Sequence, residues 1–374
     1  MPEVRLTVNR TDYGGWKSLR LKRSIEQIAG TFELGVSELW PDEVRPREIA
    51  PGDECTVSLD GEIVITGHVD DVAIGHSGRH HEVTVSGRDA TGDLVDSSAI
   101  HRSGKWTNAK AERIAADVCA PFKIPVRSDI DTGRPLAEWN IQEGEAAFEC
   151  LERLARAKAV LLVSDARGGL VITRSGQGGR IGTSLVLGEN ILQGSVELSY
   201  KDRHDEYIVK GQTAESDALF GASTRLKGTA KDPMVKRRRP LIIIAEDQAE
   251  GETLSRRALW EANVRRGRSA QLVIKVQGWG YPAAGGAKLW QPNTIVHVRD
   301  PWLRTDAEML IKEAAYILDE SGSLTEIRLT LPQAFDLVPM LPADALKASA
   351  WDMLGKQQKD IDRLKREQER RERK

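Results

Sequence analysis

A chain of 374 residues, 40% of them apolar, has room for roughly two to four domains and a sizeable core. Its 54 Lys and Arg nearly balance its 56 Asp and Glu, and a formal charge of −2 lacks the basic excess of a non-specific nucleic-acid or anionic-membrane binder. Three scattered cysteines, Cys55, Cys119 and Cys150, supply neither a disulfide framework nor a zinc site, and they fit a reducing cytoplasm.

The opening MPEVRLTVNR lacks the basic and apolar regions of a signal peptide, and the longest apolar runs, such as Leu241–Ala245, are far too short to span a bilayer. Residues 1 to about 95 read as β. Val4, Leu6 and Val8 alternate, as do Phe32, Leu34 and Val36, and then Cys55, Val57 and Leu59. Asp60-Gly61 sits between CTVSL and EIVIT as a type I′ hairpin signal, and HEVTVSGRD adds a further strand. Short strands with this spacing predict a small closed or half-closed barrel.

From 100 to about 185 the pattern changes to α+β. NAKAERIAADVCAPF predicts a helix with Ala111, Ile114, Ala115 and Val118 on one face and Pro121 just past its end. A second helix is expected over 145–157, followed by a hairpin of AVLLV and GLVIT around residues 165–169. Strands return at 186–212. A charged loop and a helix over 252–266 follow, and then the strands QLVIKV, TIVHV, AAYIL and TEIRLTL, with ESGS (320–323) as the last turn. The segment from about 343 is dense in charge and almost without an apolar stripe, and is expected to order only against a partner.

Motifs that carry chemistry fail on spacing. GQGGRIG (176–182) has its third glycine one place too late for a dinucleotide loop, and a strand-like TSLVLG follows where a helix is required. DIDTGRPLAE misplaces both the glycine and the glutamate of a calcium loop. Gly104-Lys105 lacks the rest of a P-loop, and no GxSxG elbow is present. Adjacent His80 and His81 point to opposite faces of a strand, and His204 in DRHDEY reads as a local ion pair. The basic KRRRP (236–240) reads as a solvated or interface loop. Trp106, Trp139, Trp260 and Trp302 read as core or interface rather than as base-stacking platforms.

Four glutamates, Glu143, Glu145, Glu149 and Glu152, crowd the second helix and raise the question of paired catalytic acids. Helical spacing puts Phe148, Leu151, Leu154 and Ala155 on the apolar stripe and leaves Glu149 and Glu152 outside it. Each of these two lies four residues before an arginine, Arg153 and Arg156, in the favourable order. Glu143 and Glu145 sit where the helix dipole favours negative charge. The expectation is a charge-paired outer face, with no catalytic, cofactor or metal residue anywhere in the chain.

Four stretches then carry a family likeness, in order: Tyr13–Ser37, Pro51–Val72, Val85–Ala99 and Trp139–Thr173. They resemble the baseplate hub protein of Mu-like contractile-tailed phages and, more distantly, other phage tail hubs and the hub part of type VI secretion spikes. The likeness runs to about residue 335. It implies an α+β, mainly β fold of two small similar β-barrels plus an α+β module, the second barrel interrupted by a helical insertion. The expected divisions are 1–98, 99–186, 187–335 with an insertion at about 225–270, and a C-terminal segment 336–374. Gly67, Asp70, Gly87, Arg88 and Asp89 match the family's barrel pattern and read as strand-end and turn residues.

The resemblance further implies a homotrimer that joins a sixfold tail tube to a threefold membrane-piercing spike, in the virion baseplate, after assembly in the host cytoplasm. Tape-measure and other baseplate proteins are implied partners. DNA would pass through a bore that is not strongly basic without being specifically bound, and no lipid binding is expected. The alternatives are a tail-associated cell-wall hydrolase, which needs two carboxylates flanking a cleft, and an OB-like nucleic-acid-binding module.

Overall fold

The computed structural model describes residues 2–37, 48–77, 80–158, 160–211, 227–244 and 251–335. The chain forms two compact units. One comprises Met1–Arg180, Val273–Thr294 and Ile311–Leu329, and the other comprises the remainder. Strand dominates both, so the fold is α+β and mainly β.

The first unit opens with seven strands: β1 (Val4–Val8), β2 (Thr11–Tyr13), β3 (Ser18–Ser24), β4 (Thr31–Ser37), β5 (Glu54–Leu59), β6 (Glu62–Ser77) and β7 (His80–Asp89). They pair antiparallel in the order β3-β4-β7-β6-β5-β1-β2, and residues 313–318 pair along the other side of β3. Among the described residues this path of pairings stays open. The period-2 pattern behaves as read: Val4, Leu6, Val8, Phe32, Leu34, Val36, Cys55, Val57 and Leu59 all enter one core, joined by Trp279, Ala314 and Tyr316. Asp60 (φ 48°) and Gly61 (φ 84°) both adopt the left-handed conformation a type I′ turn demands.

The α+β module follows: α1 (Gly92–Asp96), β8 (Lys105–Ala109), α2 (Ala111–Cys119), β9 (Val126–Ser128), β10 (Leu136–Asn140), α3 (Ala147–Lys158), β11 (Leu161–Ser164) and β12 (Leu170–Thr173). The buried stripe of α2 is the expected one, extended by Cys119, while Pro121 falls inside a single 3-10 turn, Ala120–Phe122. Helix α3 begins two residues later than the spacing predicts. The reason is backbone pairing: Ala99 N donates to Glu145 O and Ala147 N to Ser97 O, which holds 145–146 extended. Its stripe is Ala147, Cys150, Leu151, Leu154 and Ala155, with Phe148 only half-buried. This face packs with the stripe of α2 and with Leu170 and Ile172 of β12. The predicted hairpin forms between β11 and β12, and β9 adds to it in parallel. The pair β8–β10, with Trp106 opposite Trp139, has no clear signature in the sequence.

The second unit contains β13 (Leu185–Val186), β14 (Gln193–Leu198), β15 (Glu206–Lys210), β16 (Lys227–Lys231), β17 (Pro240–Ile244) and α4 (Gly251–Arg268). Strands β16-β15-β17 make a three-stranded sheet, and α4, two residues longer at its end than expected, covers one face of it. Tyr207, Val209, Leu254, Ala258 and Ala262 form that core, with Ala230, Leu241 and Ile243 against it. Gly228 permits the contact, because a Cβ there would lie 2.1 Å from the Leu254 carbonyl carbon. The remaining strands are β18 (Ala270–Gln277), β19 (Gly280–Ala283), β20 (Gly286–Leu289), β21 (Ile295–Asp300), β22 (Thr305–Asp319) and β23 (Gly322–Thr330). The turn at Glu320-Ser321 links β22 to β23 as ESGS predicts. The charged segment from 343 lies outside the described residues.

Candidate functional site

The four glutamates do not face one another across a cleft. Glu145 departs from the outer-face expectation: its side chain is 6% exposed and bonded on both oxygens. Arg153 donates from Nη2 to Oε1 (2.8 Å) and from Nε to Oε2 (3.0 Å), and Gln142 N donates to Oε1 at 2.7 Å. Burial pushes this carboxyl up, but Arg153 and the Gln142 amide outweigh it, and the result lies below the usual glutamate range. Such a group is an ionised clamp and has no proton to give at neutral pH.

The expected Glu149–Arg153 pair does not form, because Arg153 turns back to Glu145 and to Asn140 O. Glu149 instead accepts from Ala146 N at 2.9 Å at the start of α3, a capping contact. The Glu152–Arg156 pair forms at 3.8 Å, and Glu143 is exposed.

The glycine, aspartate and arginine positions of the hub pattern converge where β6 crosses β7. A Cβ at Gly67 would lie 2.1 Å from Arg88 O, and one at Gly87 would lie 2.2 Å from His68 O, so both strands need glycine to approach. The pairing register shifts between Val69 and Asp71, a bulge that aims Asp70 at Arg88. Arg88 Nε donates to Asp70 Oδ2 at 2.7 Å, and its Nη2 reaches Asp96 Oδ2 of α1 at 2.6 Å. Asp96 is held below the usual carboxylate range by that contact, and Arg88 is raised.

Asp89 is buried and accepts from Gly30 N (2.6 Å), Thr91 N (3.0 Å) and the Thr91 hydroxyl. Burial pushes its carboxyl up despite these donors. The cluster staples β7, the turn before β4 and the start of α1 together.

A third cluster, in the second unit, has no sequence signature. Arg203 and Asp232 are both fully buried, with Arg203 Nε and Nη2 donating to Asp232 Oδ2 at 2.9 and 2.7 Å. Arg266 Nη2 (3.4 Å) and Met234 N (3.1 Å) reach Asp232 Oδ1. Nearby, His204 does not make the expected ion pair. Its Nδ1 lies 3.2 Å from Arg239 O, and burial lowers its pKa and keeps the ring neutral.

The KRRRP loop is partly spent locally. Arg238 binds Asp205 and Glu206, and Arg239 donates to Tyr200 O and Lys201 O. Burial pushes the thiols of Cys55 and Cys119 up to about 12 and that of Cys150 up to about 11. Among the described residues, no three His, Cys, Asp or Glu side chains group to hold a metal. Trp106 is buried, and Trp139 packs half-buried beside it in the module core. Trp302, in contrast, is 85% exposed.

Each of these clusters ties segments of the chain together. The comparisons fit that character. Residues 3–89 match the N-terminal domain of the GpP-like Mu phage baseplate assembly protein, and residues 251–338 match the fourth domain of GpP. Residues 91–174 match the second domain of the gp44-like baseplate hub protein. The baseplate hub protein gp44 of Escherichia phage Mu is 36% identical over 347 residues, 90% of this chain and 89% of gp44.

The chain belongs to the Mu gp44 family of baseplate hub proteins.

The hub is therefore a structural component of a phage tail and part of the virion. A 43 kDa tail protein of prophage MuSo2 from Shewanella oneidensis superposes with a TM-score of 0.80 at 35% identity, over 89% of the hub and 99% of that chain. The E. coli c3393 protein, a type VI secretion component described as similar to T4 tail proteins gp27 and gp5, superposes at 0.54 with 10% identity over 90% of the hub and 79% of that chain, and shares the fold alone.

Proposed function

We propose that this hub acts as a homotrimer at the centre of the baseplate, joining the sixfold tail tube to the threefold spike, and that it is needed for tail assembly and DNA ejection. The carrying observation is that β-rich segments bracket the chain, each matched by a hub or baseplate domain, with the α+β module after the first. Two similar barrels per subunit, in 1–98 and 187–335 with a helical insertion at about 225–270, would give three copies a ring of pseudo-sixfold symmetry. Cyclic symmetry repeats one interface three times, and a closed ring leaves no exposed sheet edge around its circumference. DNA passes through the bore without specific binding. Spike, tube, tape-measure and other baseplate proteins are the partners, and assembly takes place in the host cytoplasm. The clusters described above hold the subunit's parts in register, with no catalytic step.

Solution mass tests the reading. The hub sediments as a trimer, and averaged electron images show a ring of six similar lobes that captures the spike protein on one face. A monomer at every concentration, with no binding to spike or tube protein, would refute it.

A further inference from the structure

The sheet β16-β15-β17 has a second face that α4 does not cover. Alternation is strict: Tyr207, Val209, Ala230, Leu241 and Ile243 turn to the helix. The opposite face therefore carries three cross-strand rows: Lys231, Glu206 and Pro240; then Thr229, Ile208 and Ile242; then Lys227, Lys210 and Ile244. Ile242 and Ile244 are 54% and 68% exposed. Strand β17 ends the sheet, and its outer edge pairs with no described strand. An open edge beside exposed isoleucines is a site that proteins otherwise blunt.

Charge identifies what fits. The one acid on this face, Glu206, is already taken by Arg238 at 2.6 Å. Lys210, Lys227 and Lys231 on the face, and Lys236 and Arg237 in the loop leading into β17, are exposed and have no ionic or hydrogen-bonded side-chain partner among the described residues. Five cations with no counter-charge among the described residues thus flank an apolar row on a protein whose formal charge is −2.

We propose that this face is a docking surface for an acidic, extended segment of a partner protein, which adds as a strand to the free edge of β17. Main-chain hydrogen bonds to the edge supply affinity, alternate apolar side chains cover Ile242 and Ile244, flanking carboxylates meet Lys236 and Arg237 beside the start of β17, and the lysines of β15 and β16 attract the acidic segment at longer range. A nucleic acid fits less well, since the centre is aliphatic and offers no aromatic ring for a base to stack on. A lipid surface fits less well too, because it would leave the edge N–H and C=O groups without partners.

The test uses the full chain and two labelled synthetic peptides that share a core of alternating valine and threonine, flanked in one by glutamates and in the other by lysines, read by fluorescence anisotropy. The glutamate peptide binds, the lysine peptide does not, and affinity falls steeply as salt screens the lysines. The Lys236→Glu/Arg237→Glu double variant, in the loop leading directly into β17, weakens binding about tenfold or more, and so does Ile242→Ser. All three residues are exposed, so unchanged circular dichroism keeps the comparison clean. On binding, the amides of 241–244 exchange more slowly. The proposal is overturned if the two peptides bind alike or not at all, if the variants bind as the wild type does, or if single-stranded DNA or anionic vesicles compete fully at the same face. None of these outcomes depends on the hub being a trimer.

Discussion

Replacing Asp232 by Leu removes the buried carboxylate that Arg203 pairs with inside the second unit. Both side chains are fully excluded from water, and Asp232 Oδ2 receives two of the guanidinium's hydrogen bonds. The contacts Arg203 keeps include Ser269 Oγ at a stretched 3.4 Å and the Tyr200 ring at 4.5 Å, neither of which carries a negative charge. Breaking a buried pair from one side costs about 3–5 kcal/mol, since the stranded charge keeps its desolvation penalty. The reverse change, Arg203→Met, costs less, about 2–3 kcal/mol, because Asp232 keeps Arg266 and the Met234 amide.

Removing both charges in Arg203→Met/Asp232→Leu recovers most of the loss and leaves a coupling of about 2 kcal/mol or more. Scanning calorimetry reads the effect. In a unit of this size each kcal/mol moves the midpoint by about 2–4 °C, so Asp232→Leu lowers the second unit's transition by roughly 6–20 °C. Hydrogen exchange in α4, which carries Arg266, rises in parallel. A loss below about 1 kcal/mol in Asp232→Leu, or a double variant as unstable as the sum of the singles, would refute the reasoning.

Gly67→Ala forces a Cβ to within 2.1 Å of Arg88 O and destabilises by about 3 kcal/mol or more, whereas Gly75→Ala, with nothing within 4 Å, stays within about 0.5 kcal/mol; urea unfolding separates the two. Glu145→Gln loses about 1.5–3 kcal/mol at pH 7 by removing a two-pronged charge-assisted contact. The folded-state pKa of Glu145 is depressed, so its contribution is complete above the unfolded value of 4.5 and fades as pH falls through the lower folded value. Denaturation midpoints of wild type and variant therefore converge in acid, and a gap that stays constant to pH 2 would contradict this assignment. The three buried thiols, held at about 11 to about 12, resist a thiol-specific disulfide reagent at pH 8 in the native hub, and all react on unfolding.

The contrast between Arg203 and Cys55 shows where sequence reading succeeds and where it stops. Cys55, Val57 and Leu59 are neighbours in the chain, and the pleat alone decides that they share a face; Asp60-Gly61 then fixes the turn by its own backbone preference. The α3 stripe is legible for the same reason, as its period is a local property. Arg203 and Asp232 are 29 residues apart with strands between, and no local preference marks either residue as buried. Glu145 is the instructive middle case. The i,i+4 rule assigns Arg153 to Glu149, and it would be right for a helix standing alone. The extended pairing of 145–146 with 97–99 delays the helix and leaves Glu145 close enough to take both arms of Arg153. Glu149 is thereby freed to cap the helix. A long-range backbone bond thus rewrote a local charge pattern, which is why the glutamates disclosed their work as a clamp and a cap only in three dimensions.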